Sequence, residues 1–119
     1  HPTCHHNGGI IEKFADFIQN DRWGRPKLFY VWGHSYEFPR DNNWDMMEEF
    51  CRLAGNREDI WYATNIEIYD YVKAYESLVW SANAKTVYNP TLIDVWMWND
   101  GNVVRVGSGE TVRLENGTF

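Results

Sequence analysis

The stretch from Lys27 to Phe38 reads KLFYVWGHSYEF and places an apolar run directly before a glycine and a histidine. The run Leu28 to Trp32 lacks the alternation of a half-exposed strand. Such a run is typical of a strand buried on both faces of a parallel sheet. Functional residues of α/β folds cluster past the carboxyl ends of these strands. The stretch therefore predicts a parallel strand with His34 at the edge of a functional site.

Three helical patterns surround this strand. The first lies near residues 10–20 and carries its apolar residues on one face, which is typical of an amphipathic helix. The second lies near residues 44–54 and is followed by a Gly-Asn pair that favours termination. The third lies near residues 65–77. Its residues that are expected to face inward are Ile68, Val72 and Tyr75.

A second apolar run, DIWYAT at residues 59–64, predicts a strand parallel to the first and joined to it through the second helix. Residues 1–77 are then expected to form an α/β fold with a partial (β/α)-barrel-like parallel sheet. Two strands do not close such a sheet, and its edges would be exposed. We therefore expect a homo-oligomer, or pairing with a missing N-terminal half.

Residues 78–119 differ in pattern from the preceding part of the chain, because short β-prone runs alternate with turn residues. The pair Asp100-Gly101 lies between IDVWMW and NVVRV and is typical of a two-residue hairpin turn. The alternation in the first of these runs places Val95 and Met97 on one face. We expect a small antiparallel β-extension here, packed on the α/β part.

The composition excludes two classes of partner. The chain has 119 residues, a net charge of −6 and no cluster of Lys and Arg, so we expect no nucleic-acid binding. No apolar run approaches the roughly 20 residues that a membrane span needs, and the polar opening residues show no signal peptide. Aromatic residues make up 17% of the chain. They suit either a packed core or stacking on sugar rings.

The opening segment HPTCHH offers His1, Cys4, His5 and His6 as metal-competent side chains. His1 and His5 have helical spacing, but Pro2 and the chain end argue against a helix there. Neighbouring His5 and His6 cannot easily share one metal, and structural zinc usually takes two separated pairs of ligands. We therefore expect adventitious nickel or zinc binding and no functional metal site.

His34 has two interpretations from its position alone. An imidazole at a strand end can act as a general acid or base near neutral pH. Glu37 follows closely enough to orient the ring or to raise its pKa. The alternative is a loop histidine that only hydrogen-bonds the backbone. The position does not decide between them.

Five segments of the chain together resemble polysaccharide deacetylase-like proteins, the NodB-homology group that is also called carbohydrate esterase family four. The segments are PTCHHN, LFYVWGHSYEF, NNWDMMEEFC, DIWYATNIEIYDYVKA and TVYNPTLIDVW. The resemblance covers nearly the whole chain. It implies a distorted (β/α) barrel, with residues 1–77 as the C-terminal part of the barrel and residues 78–119 as the β-extension.

The resemblance also implies an activity, which is the metal-dependent removal of acetyl groups from carbohydrate. In the complete family one Asp is the base, an Asp and two His hold a divalent metal such as zinc, and a later His is the acid. His34 in LFYVWGH matches that later His. Trp32, Tyr36 and Glu37 are the candidate substrate-binding residues, with Trp32 and Tyr36 lining the sugar site by proximity.

The departures from the family pattern limit this expectation. The Asp-Asp pair and the His-x-x-x-His metal motif are not found in the right context, because His1 and His5 precede His34 too closely. Without a base and metal ligands the attacking water has no activator. We expect the isolated chain to bind no metal cofactor and to be inactive, with carbohydrate as its candidate ligand. The alternative is a non-catalytic module that binds glycans or self-assembles.

Overall fold

The computed structural model describes residues 2–20 and 26–114. The chain divides into two compact units, residues 1–60 and residues 61–119. The elements of the first unit are β1 (Cys4–His5), α1 (Ile10–Gln19), β2 (Val31–Trp32), α2 (Glu37–Asp41) and α3 (Trp44–Ala54). Of these, the amphipathic helices α1 and α3 confirm the predictions from periodicity.

The first unit is built around a short parallel pairing of β1 with β2. Cys4 lies opposite Val31, and His5 lies opposite Trp32. The His6 amide continues the ladder by donating to the Trp32 carbonyl at 3.0 Å. Because the strands are parallel, the residues that follow each of them emerge at the same edge of the sheet.

An aromatic cluster holds the helices of the first unit together. Phe14 and Phe17 on α1 meet Phe29, which precedes β2, with ring centroids 5.5 and 5.3 Å away. Phe50 on α3 completes the cluster with an edge-on contact to Phe14 at 5.5 Å. Edge-to-face aromatic pairs of this kind add stabilisation beyond the apolar area that they bury. The cluster therefore explains why α1 and α3 lie against each other.

The second unit combines one helix with antiparallel strands. Its elements are α4 (Asn65–Glu76), β3 (Val79–Trp80), β4 (Thr86–Tyr88), β5 (Val95–Asn99), β6 (Asn102–Val106) and β7 (Thr111–Arg113). The strands form a sheet in the order β3-β4-β7 and a separate β5-β6 hairpin. The buried apolar residues are Ala74, Leu78, Val87, Val95, Met97, Val106 and Leu114.

The hairpin confirms the turn prediction. Asp100 and Gly101 have φ angles of 45° and 88°, as a turn with two left-handed central residues requires. Val95 and Met97 point into the core while Trp96 between them is exposed. Alternation and turn chemistry therefore predicted this element correctly.

The predicted barrel-like parallel sheet is wrong. Within residues 2–20 and 26–114 the parallel pairing is confined to β1 and β2, and the remaining strands are antiparallel. DIWYAT forms no strand, and Trp61 in it is 60% exposed. In the KLFYVWG run only Val31–Trp32 is a strand, and Leu28 is 55% exposed. An apolar run gives a doubly buried strand only where helices cover both faces, and here they do not.

The third helix also differs from its prediction. The face of α4 that turns inward carries Ala74, with Tyr71 packed against the core, whereas Val72 and Tyr75 are exposed and Ile68 is half-buried. The Tyr71 hydroxyl donates to the Trp96 carbonyl at 3.1 Å and accepts from the Trp96 amide at 2.9 Å. Thus α4 belongs with the antiparallel strands, in the compact unit that spans residues 61–119. No helix in the described ranges is long and apolar enough to cross a membrane.

Asp94 gives the second unit an acid-sensitive contact. Its carboxylate accepts from the Ser108 amide at 2.9 Å and from Arg105 Nε at 2.9 Å. The Ser108 bond, and then the Arg105 bond, lower the pKa of Asp94 below its usual value. A lowered folded-state pKa contributes stability that is complete above the unfolded pKa and is lost as pH falls through the folded one.

We therefore expect Asp94→Asn to remove part of the acid dependence of the second unit. The stability difference between wild type and variant should shrink as pH falls from about 5 to about 2. Thermal unfolding across this pH range, with amide exchange of residues 61–114 to select the unit, measures the difference. Glu76→Gln, which changes an exposed ion pair with Lys73, is the control. A difference that stays constant with pH would contradict the prediction.

Candidate functional site

His34 lies just past the carboxyl end of β2, as the sequence predicted for that strand end. Its ring is exposed and stacks on the Tyr36 ring at a centroid distance of 5.3 Å and an interplanar angle of 12°. The Trp32 ring stands edge-on to His34 at 6.4 Å. The structure therefore brings together three of the predicted site residues, and we refer to Trp32, His34 and Tyr36 as the aromatic surface.

The aromatic surface is open to solvent. Trp32 is 50% exposed and Tyr36 is 61% exposed. Aromatic rings of a folded chain are more often used to fill its core. In the first unit the phenylalanines do that, and these rings are left accessible to a ligand.

Glu37 lies apart from this surface, although its position in the sequence predicted a place beside Trp32 and Tyr36. It is buried, and its Oε2 accepts from the His34 backbone amide at 2.9 Å and contacts His5 Nε2 at 3.0 Å. His6 Nε2 lies 3.4 Å from the same oxygen. The carboxylate therefore contacts the backbone of His34 rather than its ring, and its side-chain partners are two histidines from the opening segment.

We refer to His5, His6 and Glu37 as the His–Glu cluster. One ligand atom from each residue lies within 4.8 Å of the other two. The two imidazoles are neighbours, with centroids 4.2 Å apart, because β1 ends at His5 and the chain turns there. His5 and His6 therefore lie close enough to share one metal ion, contrary to the expectation from their adjacent positions in the sequence.

The carboxylate of the cluster is held in its charged form. The hydrogen bond from the His34 amide is the largest cause of a lowered Glu37 pKa, and the nearby His5 and His6 lower it further. Arg40 Nη2 lies 3.5 Å from the other carboxylate oxygen, but its guanidinium is also bound by Asp41. Glu37 is thus an anionic centre at the start of α2.

The sequence signal for this cluster was incomplete. The segment HPTCHH indicated His5 and His6 as metal-competent residues. Their partner, Glu37, follows 32 residues after His5. Of the other members of that segment, Cys4 is buried in the core and is not part of the cluster, and His1 lies outside the described residues. The parallel pairing of β1 with β2 would have identified Glu37, because it brings the residues after both strands to one edge.

The metal set implied by the deacetylase resemblance does not fit the described residues. That set consists of an Asp and two His, with a second Asp as base, whereas the grouping found here is two His and one Glu. A hydrolytic step through the family's metal therefore has no basis in this site. No family model, no curated protein and no solved structure matches this chain, and the resemblance stays a prediction.

Proposed function

We propose that the chain binds carbohydrate through the aromatic surface, as the C-terminal part of a deacetylase-like hydrolase that is inactive in isolation. The observation that carries the proposal is the exposure of Trp32 and Tyr36 on either side of His34 at a strand end. Flat apolar faces with polar edges suit the alternating apolar and hydroxyl surfaces of a sugar ring. The resemblance of five segments to polysaccharide deacetylase-like proteins supports carbohydrate as the class of ligand and an acid role for His34.

The geometry accounts for how the surface would hold a sugar. The Trp32 ring makes an edge-on contact with the His5 ring at a centroid distance of 4.6 Å. His5 on β1 pairs with Trp32 on β2, so the sheet sets the position of the Trp32 ring. Tyr36 is backed by the Arg40 guanidinium, 5.8 Å from its ring centroid. The His34 ring lies between the two and offers nitrogens for hydrogen bonding to hydroxyl groups. The first unit thus presents rings that are positioned before a ligand arrives.

We expect Trp32→Ala to weaken binding of acetylated chitooligosaccharides about tenfold, because one stacking ring of a surface of this kind contributes about 1.4 kcal/mol. Isothermal titration of the full chain measures the affinity. Trp98→Ala is the matched control, since Trp98 is similarly exposed but lies on β5 of the second unit. Absence of binding by the wild type, or equal affinity in both variants, would contradict the proposal.

Acetate release by the same samples tests separately whether the isolated chain is an active hydrolase. Since the family's base and metal triad are missing from the described residues, we expect no release of acetate with added Zn²⁺ or Co²⁺. Release that His34→Ala abolishes would show that the isolated chain is an active hydrolase. Glycan binding without acetate release is the result that the proposal predicts.

A further inference from the structure

The buried ring of His6 has an unpaired nitrogen. His6 is 3% exposed, and its Nε2 has no hydrogen-bond partner in the described structure. The nearest anionic atom, Glu37 Oε2, is 3.4 Å away but is not hydrogen-bonded to it. A buried polar atom without a partner carries a desolvation cost. Such an atom beside a carboxylate therefore points to a partner that binds to both.

We infer that the His–Glu cluster binds one divalent transition-metal ion, with zinc as the best match. Zinc bonds of about 2.0–2.1 Å in a tetrahedron place neighbouring ligand atoms about 3.4 Å apart. The two Nε2–Oε2 distances in the cluster are 3.0 and 3.4 Å. The ligand atoms of His5 and His6 lie within 4.8 Å of each other, and the half-buried His5 ring is the one that would turn to bring them closer. Two imidazoles and a carboxylate are a ligand set that zinc uses, with a fourth position left for solvent.

The packing around His6 fixes its ring where the metal would bind. The ring stacks on Phe38 with a centroid distance of 4.4 Å, and His5 lies on its other side. Gly33 faces the ring edge so closely that a Cβ at that position would lie 1.9 Å from His6 Nδ1. A ligand that is immobilised before binding loses little conformational entropy when the metal arrives. The first unit therefore presents His6 in a preset orientation.

The surroundings favour a cation. A cleft of about 340 Å³ lies beside His6, and its lining includes the acidic residues Glu12 and Asp41. The guanidinium of Arg40 is the opposing charge, and the carboxylate of Asp41 offsets it through bonds of 2.7 and 2.8 Å. Among its described lining residues the cleft therefore has carboxylates and no Lys or Arg.

This site is distinct from the proposed glycan surface and from the metal triad that the deacetylase resemblance implies. Its three residues come from the end of β1 and the start of α2. None of them belongs to the aromatic surface, so each proposal can fail without the other.

Zinc titration of the full chain tests the inference, with isothermal titration for stoichiometry and Co²⁺ absorption for the ligand set. We expect one equivalent of Zn²⁺, and a tetrahedral Co²⁺ spectrum that zinc displaces. Glu37→Gln should lower the zinc affinity at least tenfold, because the amide keeps the shape of the side chain but loses its charge. His5→Ala should do the same, and circular dichroism checks that both variants remain folded.

Two controls separate this site from adventitious binding by histidine. His34→Ala removes an exposed imidazole outside the cluster, and Glu67→Gln repeats the carboxylate-to-amide change in the second unit. Both should retain the wild-type zinc affinity within twofold. Absence of saturable binding by the wild type, or the same affinity in Glu37→Gln as in the controls, would overturn the inference. If His5→Ala fails to fold, the zinc affinities of Glu37→Gln and Glu67→Gln still decide whether the His–Glu cluster binds the metal.

Discussion

Replacing Asn89 by alanine is expected to destabilise the second unit by about 4 kcal/mol. Asn89 is fully buried, and its Nδ2 donates to the carbonyls of Ile93 at 2.8 Å and Val106 at 2.9 Å. Its Oδ1 accepts from the amide and the hydroxyl of Thr91 at 3.0 and 2.7 Å. Alanine would remove the side-chain partner of the Val106 carbonyl in the core and of the half-buried Thr91 amide, and a buried polar group left unpaired costs about 1–3 kcal/mol.

Urea unfolding, with amide exchange of residues 61–114 to report on the second unit, measures this change. Asn102→Ala is the matched control, because Asn102 is exposed and its amide makes only a 3.4 Å contact with the Asp100 carbonyl. The control should change the free energy of unfolding by less than about 0.5 kcal/mol. A decrease in the free energy of unfolding of less than about 1 kcal/mol for Asn89→Ala would contradict the prediction. It would show that water replaces the hydrogen bonds of the lost amide.

Replacing Gly33 by alanine is expected to destabilise the first unit by about 3 kcal/mol. The added Cβ would lie 1.9 Å from His6 Nδ1 and 2.4 Å from Cε1. The His6 ring cannot step aside, because His5 and Phe38 pack against it. Either the ring or the backbone between β2 and α2 must move, and the orientation of His6 is lost.

The same substitution links the fold to the inferred metal site. Amide exchange of residues 2–20 and 26–60 measures the stability of the first unit, and zinc affinity reports the position of His6. Gly109→Ala is the control, since a Cβ there meets nothing within 4 Å and only the left-handed φ of 70° is strained. That strain costs about 1–2 kcal/mol, and it leaves zinc binding unchanged. A Gly33→Ala variant with wild-type stability and zinc affinity would contradict the described packing of His6.

Local rules accounted for the helices and the hairpin. Periodicity predicted α1 and α3, and the Asp100-Gly101 pair predicted the β5-β6 turn. The same rules failed for DIWYAT and for the inward face of α4. Whether an apolar run is buried depends on what lies opposite it, and that partner is set by distant residues. For α4 the partner is Trp96 of β5, which sequence order does not reveal.

The candidate site also combines features that local sequence predicted with features that it did not predict. His34, Trp32 and Tyr36 are neighbours in sequence around one strand end, so their common surface followed from local spacing. Glu37 is only three residues from His34, yet its side chain contacts His5 and His6 across the parallel pairing of β1 with β2. The metal-competent side chains of the six-residue segment HPTCHH could be recognised in the sequence, but their contact with Glu37 and the burial of Cys4 in the core could not.

The sequence by itself determined the amphipathic helices, the antiparallel hairpin and the grouping of aromatic rings around His34. These features depend on interactions between residues that are close along the chain. Only the tertiary structure decided that the parallel pairing is short and that Glu37 meets the half-buried His5 and the buried His6. Those contacts join segments about 30 residues apart, and no local pattern encodes which distant side chain will occupy a given place.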